Sequence, residues 1–358
     1  MMGEMLRNPD SNKPSAATID VLTQIWQRVL QRSQIGPEDR FYDVGGSDAL
    51  ADRLFVEIAG AFDRQLPTAT ICHAPSITAL AALLEQTAPS LFSPFVKLKP
   101  GSDKMPILIA HGLGGRASFS ELAKHIRTEH AIYGIQARGV DGMEEPFDRI
   151  EDMAEFYLKA LSRLQSQGSY ILIGYSFGGL IALEMAQRLS AEGKRISLLA
   201  LVDTYPHPRY LPWDQRVWLS AKRMKGHISD LKRKPLDAAF SQVLGALKSR
   251  LPIPRARKPR ALPAEAVRLS FAETIAHVKA SDLLAMRRYR PRFYRGKMIF
   301  VRPEANSYLP TDPTAVWENM ATEFQVYTVP GDHLGMIAEH FESLAAVLTD
   351  CVREASRE

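Results

Sequence analysis

The stretch Tyr170-Ile171-Leu172-Ile173-Gly174-Tyr175-Ser176-Phe177-Gly178-Gly179 constrains this chain more than any other. A short apolar run ends in G-x-S-x-G, and a helical pattern, FGGLIALEMAQRL, follows at once. A strand that turns sharply into a helix around a serine needs small residues on both sides. They let strand and helix approach while the serine takes a strained backbone conformation that lifts its hydroxyl clear of the sheet. The architecture that supplies such a turn is a parallel sheet with helices on its faces. Apolar strands are expected at Ile107–Ala110, Ala131–Ile135, Tyr170–Ile173, Ile196–Val202, Met298–Val301 and Phe324–Val329. Helical patterns lie between several of them, including Ile150–Leu164 and Phe177–Leu189, an alternation that predicts an α/β fold.

A serine hydroxyl is a weak nucleophile that needs a base, and the base needs an orienting group. Asp203 ends the next expected strand, 27 residues after Ser176, and His333 follows the last strand in Val329-Pro330-Gly331-Asp332-His333. The expected catalytic residues are therefore Ser176, Asp203 and His333, in the chain order of α/β-hydrolases. Asp332 is the competing acid, but it adjoins His333 and would point away from its ring. His73, His207, His227 and His277 are the competing bases, placed in the helical N-terminal part or in the interval after Asp203. The turn His111-Gly112-Leu113-Gly114-Gly115 follows the first strand and can aim a backbone N–H at a developing oxyanion. Leu113 and Phe177 are the expected oxyanion donors, with the His111 side chain supporting the loop.

Before these strands the texture differs. Leu22, Ile25, Trp26, Val29 and Leu30 form one helical stripe and Leu50, Leu54, Ile58 and Phe62 a second. Ser76 opens a third, with Ile77, Leu80, Leu83 and Leu84. The expected organisation is a tail at 1–15, a small bundle of about four helices at 16–87, a linker at 88–94 and the α/β domain at 95–358. Within the last, the interval from about 204 to 295 shows no convincing strand and is read as an inserted helical lid.

Charge sharpens this division. Residues 1–90 hold 7 Lys and Arg against 11 Asp and Glu, whereas residues 204–297 hold 22 against 6. The basic block, with Arg255, Arg257 and Lys258 near its middle, suits an acidic protein partner or a phosphate-bearing ligand; a solvated helical face is the plain alternative. Only two cysteines occur, Cys72 and Cys351, with no paired metal-ligand spacing, so neither a disulfide framework nor a thiolate zinc site is expected. Apolar runs fall well short of a membrane span, and the N-terminus carries no signal-like segment. A cytoplasmic protein with no membrane partner, no nucleic-acid partner and no metal or redox cofactor is the expectation.

The stretches HGLGG, IYGIQARG, GSYILIGYSFGGLIALEMAQRLSAEG, LALVDTYP and PGDHLGM, in this order, resemble the thioesterase domains that terminate nonribosomal peptide and polyketide synthetases. The resemblance runs from about Phe95 to Val352. It implies an α/β-hydrolase fold with a helical lid after the acid-bearing strand, and a triad that maps onto Ser176, Asp203 and His333. The segment EDRFYDVGGSDALADRLFVEIAGAFDRQLPTATICHAPSITALAALL resembles a peptidyl or acyl carrier domain. In that family a serine at the start of the second helix carries phosphopantetheine. Here the matching position is Asp48, and the hydroxyl stands one residue early at Ser47. A carboxylate cannot accept the group, and a shift of one helical position rotates a side chain by roughly 100°. A degenerate carrier is expected, with modification of Ser47 as the alternative, and Asp48 is expected to cap the second helix.

The expected function is a serine thioesterase that releases an acyl or peptidyl group from a phosphopantetheine thioester on a partner carrier protein or synthetase module. Transfer or cyclisation onto an amine or hydroxyl, and general esterase activity, are the alternatives within the fold. A non-catalytic interaction protein is the alternative from another class.

Overall fold

The computed structural model describes residues 14–64, 66, 68–72, 74–85, 92–116, 119–164, 168–211, 213, 216–217, 270–305 and 312–357. The expectations for residues 1–13, for most of the 88–94 linker, for His73 and His227, and for Arg255, Arg257 and Lys258 lie outside these residues. Of the interval read as a lid, its two ends are described.

The N-terminal part consists of α1 (Ala16–Leu30), α2 (Asp48–Phe62), a 3-10 turn (Thr68–Cys72) and α3 (Ile77–Glu85). Ser15 caps α1 by accepting the Thr18 amide at 3.2 Å. Leu22, Ile25, Trp26 and Val29 turn one face of that helix inward, and Phe41 meets the Trp26 ring edge-on with centroids 5.2 Å apart. Leu54 and Ile58 from α2 and Ile77 and Leu80 from α3 complete a core of its own. At the start of α2 the expectation for Asp48 is corrected. Ser47 is the N-cap, extended at φ −133° and ψ 167°, and its hydroxyl accepts the Leu50 amide at 3.3 Å. A cap must sit just outside the helix with non-helical dihedrals, and Asp48 is already its first helical residue.

Seven strands follow: β1 (Phe95–Lys99), β2 (Ser102–Ala110), β3 (His130–Ile135), β4 (Tyr170–Tyr175), β5 (Ile196–Val202), β6 (Tyr294–Pro303) and β7 (Ala321–Val329). They form one sheet in the order β1-β3-β2-β4-β5-β6-β7, parallel throughout except for β1, which runs antiparallel to β3. The period of two along each strand sorts the apolar side chains onto two faces. Leu108, Leu172, Leu199, Leu201, Met298 and Phe300 point to one, beneath α5 (Ile150–Leu164) and α6 (Phe177–Ala191). Ile107, Ile109, Ile171, Ile173, Ala200, Val202, Ile299 and Val301 point to the other. That second face is covered by α4 (Ser120–His125) and by the C-terminal helix. Between β5 and β6 the described residues contain a 3-10 turn (Pro208–Tyr210) and α7 (Phe271–Arg288). Two short helices, α8 (Thr314–Trp317) and α9 (Gly335–Ala338), precede the C-terminal α10 (Phe341–Ala355).

Strand β1 was not among the expected strands. Its sequence, FVKLK, is short and broken by lysines, and only pairing with β3 makes it a strand. The two parts of the molecule touch along α4 and α7. The Arg40 guanidinium donates to the Ser120 hydroxyl, Arg116 lies over the Tyr42 ring at 5.0 Å, and Ile275 of α7 packs on the helical core.

Candidate active site

Three loops at the C-terminal edge of the sheet carry the expected residues. Ser176 joins β4 to α6 at φ 54° and ψ −118°, a conformation that L-residues adopt at a cost of order 1–3 kcal/mol. Sterics explain the glycines around it. A Cβ on Gly174 would collide with the backbone of Gly178, one on Gly178 with the carbonyls of Ala110 and His111, and one on Gly179 with the Thr204 side chain. Helix α6 therefore starts hard against the ends of β2, β4 and β5. The Ser176 amide donates to the Val202 carbonyl at 2.8 Å, which ties the turn to the neighbouring strand.

Asp203 continues β5 with φ 43°, and its amide donates to the Val301 carbonyl at 2.8 Å. Its carboxylate is buried and accepts the His333 Nδ1–H at 2.6 Å. Asp332 faces elsewhere: its Oδ1 accepts the amides of Leu334 and Gly335 at 3.1 and 2.8 Å and starts α9. His333 is held from a second side by Tyr175. The phenol donates to the His333 carbonyl at 2.6 Å, and the two rings stack with centroids 5.0 Å apart. The Ser176 hydroxyl makes no hydrogen bond to His333 among the described residues. Two of the competing histidines are described and have other partners. His277 pairs with Glu145 on the surface, and His207 accepts the Arg209 amide.

The turn His111–Gly115 approaches from the end of β2. His111 is buried, its Nδ1–H donates to the Gly112 carbonyl at 2.8 Å, and its Nε2 accepts the Tyr157 hydroxyl at 3.1 Å. Burial pushes its pKa down to about 4, so the ring stays neutral and braces the turn. Two amides of the turn are engaged: that of Gly115 with the Gly112 carbonyl at 3.3 Å, and that of Gly114 with Asp282 Oδ2 at 2.9 Å. Phe177 lies at the N-terminus of α6, where the helix presents unsatisfied amides.

Two residues at the site escaped the sequence reading. Tyr175 was hidden as one more apolar strand residue, although its place next to the serine is a signal. Asp282 sits in α7 at the i+7 position of the stripe Ile275, Val278, an acid on an apolar face. Among the described residues no cluster of three or more His, Cys, Asp or Glu could hold a metal ion. No described helix is long and apolar enough to cross a membrane.

The chain is similar to known proteins over both of its parts. The family model described as "Thioesterase domain" matches residues 107–351, and "Phosphopantetheine attachment site" matches residues 20–84. The chain is 31% identical over 298 residues to the "Dimodular nonribosomal peptide synthase" of Bacillus subtilis (strain 168), a match covering 81% of this chain and 12% of that protein. It is 25% identical over 350 residues to the "Probable non-canonical nonribosomal peptide synthetase (NRPS) CymA" of Salinispora arenicola, covering 96% of this chain and 4% of that one. The chain thus spans a small part of the curated relatives it matches. Among solved structures, a four-domain nonribosomal peptide synthetase superposes with a TM-score of 0.56 at 21% identity, covering 98% of this chain and 27% of that chain. The Vlm2 thioesterase domain with bound dodecadepsipeptide gives 0.50 at 23% identity, covering 72% and 96%. At these identities the structural matches establish the fold.

Proposed function

Given that the chain belongs to the thioesterase-domain family of serine hydrolases, we propose that it releases an acyl or peptidyl group from a phosphopantetheine thioester in nonribosomal peptide or polyketide-type biosynthesis. The observation that carries this reading is the buried Asp203 carboxylate on His333 Nδ1, one loop away from the positive-φ Ser176. In the proposed reaction Ser176 Oγ attacks the thioester carbonyl carbon while His333 Nε2 takes its proton. Asp203 fixes the tautomer and stabilises the imidazolium that forms. The amides of Phe177 and Leu113 hold the oxyanion. The tetrahedral intermediate collapses, the C–S bond breaks, and the thiolate leaves with the proton from His333. Water activated by the same ring then releases the acid and restores Ser176.

The thioester is carried by a partner, a carrier protein or synthetase module, and not by this chain's own helical part. At its expected attachment position stands Asp48, which has no hydroxyl, and the Ser47 hydroxyl caps α2. Asp48 does not fit the covalent group, and the Ser47 hydroxyl one residue earlier is the alternative point of attachment. The proposed arrangement is an α/β-hydrolase domain from about residue 95, with a carrier-like domain at 16–87 kept for its fold.

The reading is tested with a fluorophosphonate probe and a pair of substrates sharing one acyl group. Labelling at Ser176, and a higher kcat/KM for the pantetheine thioester than for the oxygen ester, support it. Labelling with a preference for the ester makes the protein a general esterase. No labelling makes it a non-catalytic member of the family.

A further inference from the structure

Asp282 is fully buried on α7, a helix that does not carry any of the proposed triad. One carboxyl oxygen accepts the Gly114 amide at 2.9 Å, while Oδ1 has no hydrogen-bond partner among the described residues. Burying a carboxyl with half its acceptors empty is costly, and here it raises the group's pKa to about 7. A leucine there would avoid burying the carboxyl but would leave the Gly114 amide without this acceptor. The expense is incurred against one backbone amide, and that amide belongs to the His111–Gly115 turn.

The rest of α7 shares the same target. Ile275, Val278 and Asp282, at i, i+3 and i+7, form one face of the helix. A Cβ on Gly114 would come within 3.3 Å of Ile275, and one on Gly115 within 2.9 Å of Val278, so the helix lies directly on the turn. Both glycines have positive φ, +94° and +78°, which glycine adopts without strain, and contacts from outside the turn restrict the wide backbone freedom that glycine keeps. With the Gly114 amide pinned by α7 and the Gly112 carbonyl accepting the Gly115 amide, the turn is held at the residue before and the residue after Leu113.

We propose that Asp282 is the positioning residue of the oxyanion turn, holding Gly114 so that the Leu113 amide stays aimed at the reacting carbonyl. Among the described residues Asp282 makes no hydrogen bond to Ser176. It acts through the turn, and it makes α7 part of the catalytic apparatus as well as a cover. The inference rests on the thioesterase reading for the identity of the reacting carbonyl.

The test compares wild type with Asp282→Asn, Asp282→Leu and Asp282→Ala. Each is measured by thermal melt, by kcat and KM on a pantetheine thioester, and by the rate of fluorophosphonate labelling at Ser176. Asparagine keeps a neutral acceptor for the Gly114 amide and is expected within about threefold of wild type. Leucine and alanine remove the acceptor and are expected to lower kcat and the labelling rate by about 10- to 100-fold, below the 10²–10³ lost with a direct oxyanion donor. KM should change by less than about threefold, since the turn acts in the transition state. The Tm of Asp282→Leu should stay within a few degrees of wild type, because relief of the buried carboxyl offsets the unpaired Gly114 amide, so the loss of kcat is read in a folded protein. Full activity in a folded Asp282→Leu protein, equal losses in all three variants, or loss of fold in both apolar variants would each overturn the proposal. A wild-type protein that takes up the fluorophosphonate but hydrolyses no thioester would instead sink the substrate reading, and the labelling rates would still decide the role of Asp282.

Discussion

His333 is gripped at both ends, by the Asp203 carboxylate on Nδ1 at 2.6 Å and by the Tyr175 hydroxyl on its own carbonyl at 2.6 Å. These two contacts should be separable by mutation. Asp203→Asn should lower kcat by about three to four orders of magnitude through the wrong imidazole tautomer. Asp332→Asn should lower Tm more than kcat, because Asp332 serves the Leu334 and Gly335 amides. Tyr175→Phe keeps the stacked ring and loses one hydrogen bond, so kcat should fall by about tenfold with KM little changed. Steady-state kinetics beside thermal melts checks all three. The buried Asp282 adds a pH signature of stability. Its folded pKa, about 7, lies above the model-compound value of 3.8. Between those values the native state holds a proton that the unfolded chain has released, so this contribution to stability falls as pH rises through that window. His111, with its pKa lowered to about 4, has the opposite sign, but it is common to both proteins and cancels in a difference. Denaturant unfolding at pH 5 and pH 8 should therefore show Asp282→Asn gaining on wild type at the higher pH; a pH-independent difference would contradict the burial argument.

The β4–Ser176–α6 unit starts where its sequence pattern predicts, with strand and helix each running two residues further. Ile196–Val202 and Ile150–Leu164 run from end to end as their apolar patterns predict. Such elements are legible because a period of two or of 3.6 residues is a local property. Gly178→Ala is the sharpest test of the turn. The added Cβ would meet the backbone carbonyls of Ala110 and His111, which cannot swing aside as a side chain can. The variant should lose about 2 kcal/mol or more of stability and most of its Ser176 labelling, read by denaturant melts and probe uptake. Elements whose pattern is weak were not legible. Strand β1 exists through its partner β3, and the start of β2, Ser102 to Lys104, is polar in sequence and joins the strand through the pairing of Ser102 with His130. Helix α7 is amphipathic only loosely, and its functional residue breaks the apolar stripe it sits in.

Across the whole molecule, an acidic helical domain and a basic interval between β5 and β6 belong to one chain. Incubation with coenzyme A and a broad-specificity phosphopantetheinyl transferase should leave the intact mass unchanged, and Asp48→Ser should restore modification. A mass gain in the unaltered protein, lost on Ser47→Ala, would make the helical domain a working carrier. The sequence by itself determined what short-range sterics and periodicity dictate. The glycines around Ser176 permit only a tight strand-to-helix turn, the apolar strands demand cover on both faces, and Ser176, Asp203 and His333 each follow a strand at the same edge. The tertiary structure alone decided what meets across long separations. It turned Asp332 onto its own succeeding amides and Asp203 onto His333, stacked Tyr175 on that ring, and set Asp282 against Gly114, 168 residues away. A hydrogen bond is directional over about 3 Å, so its partner depends on the packing of whole helices on the sheet, which no local pattern of residues encodes.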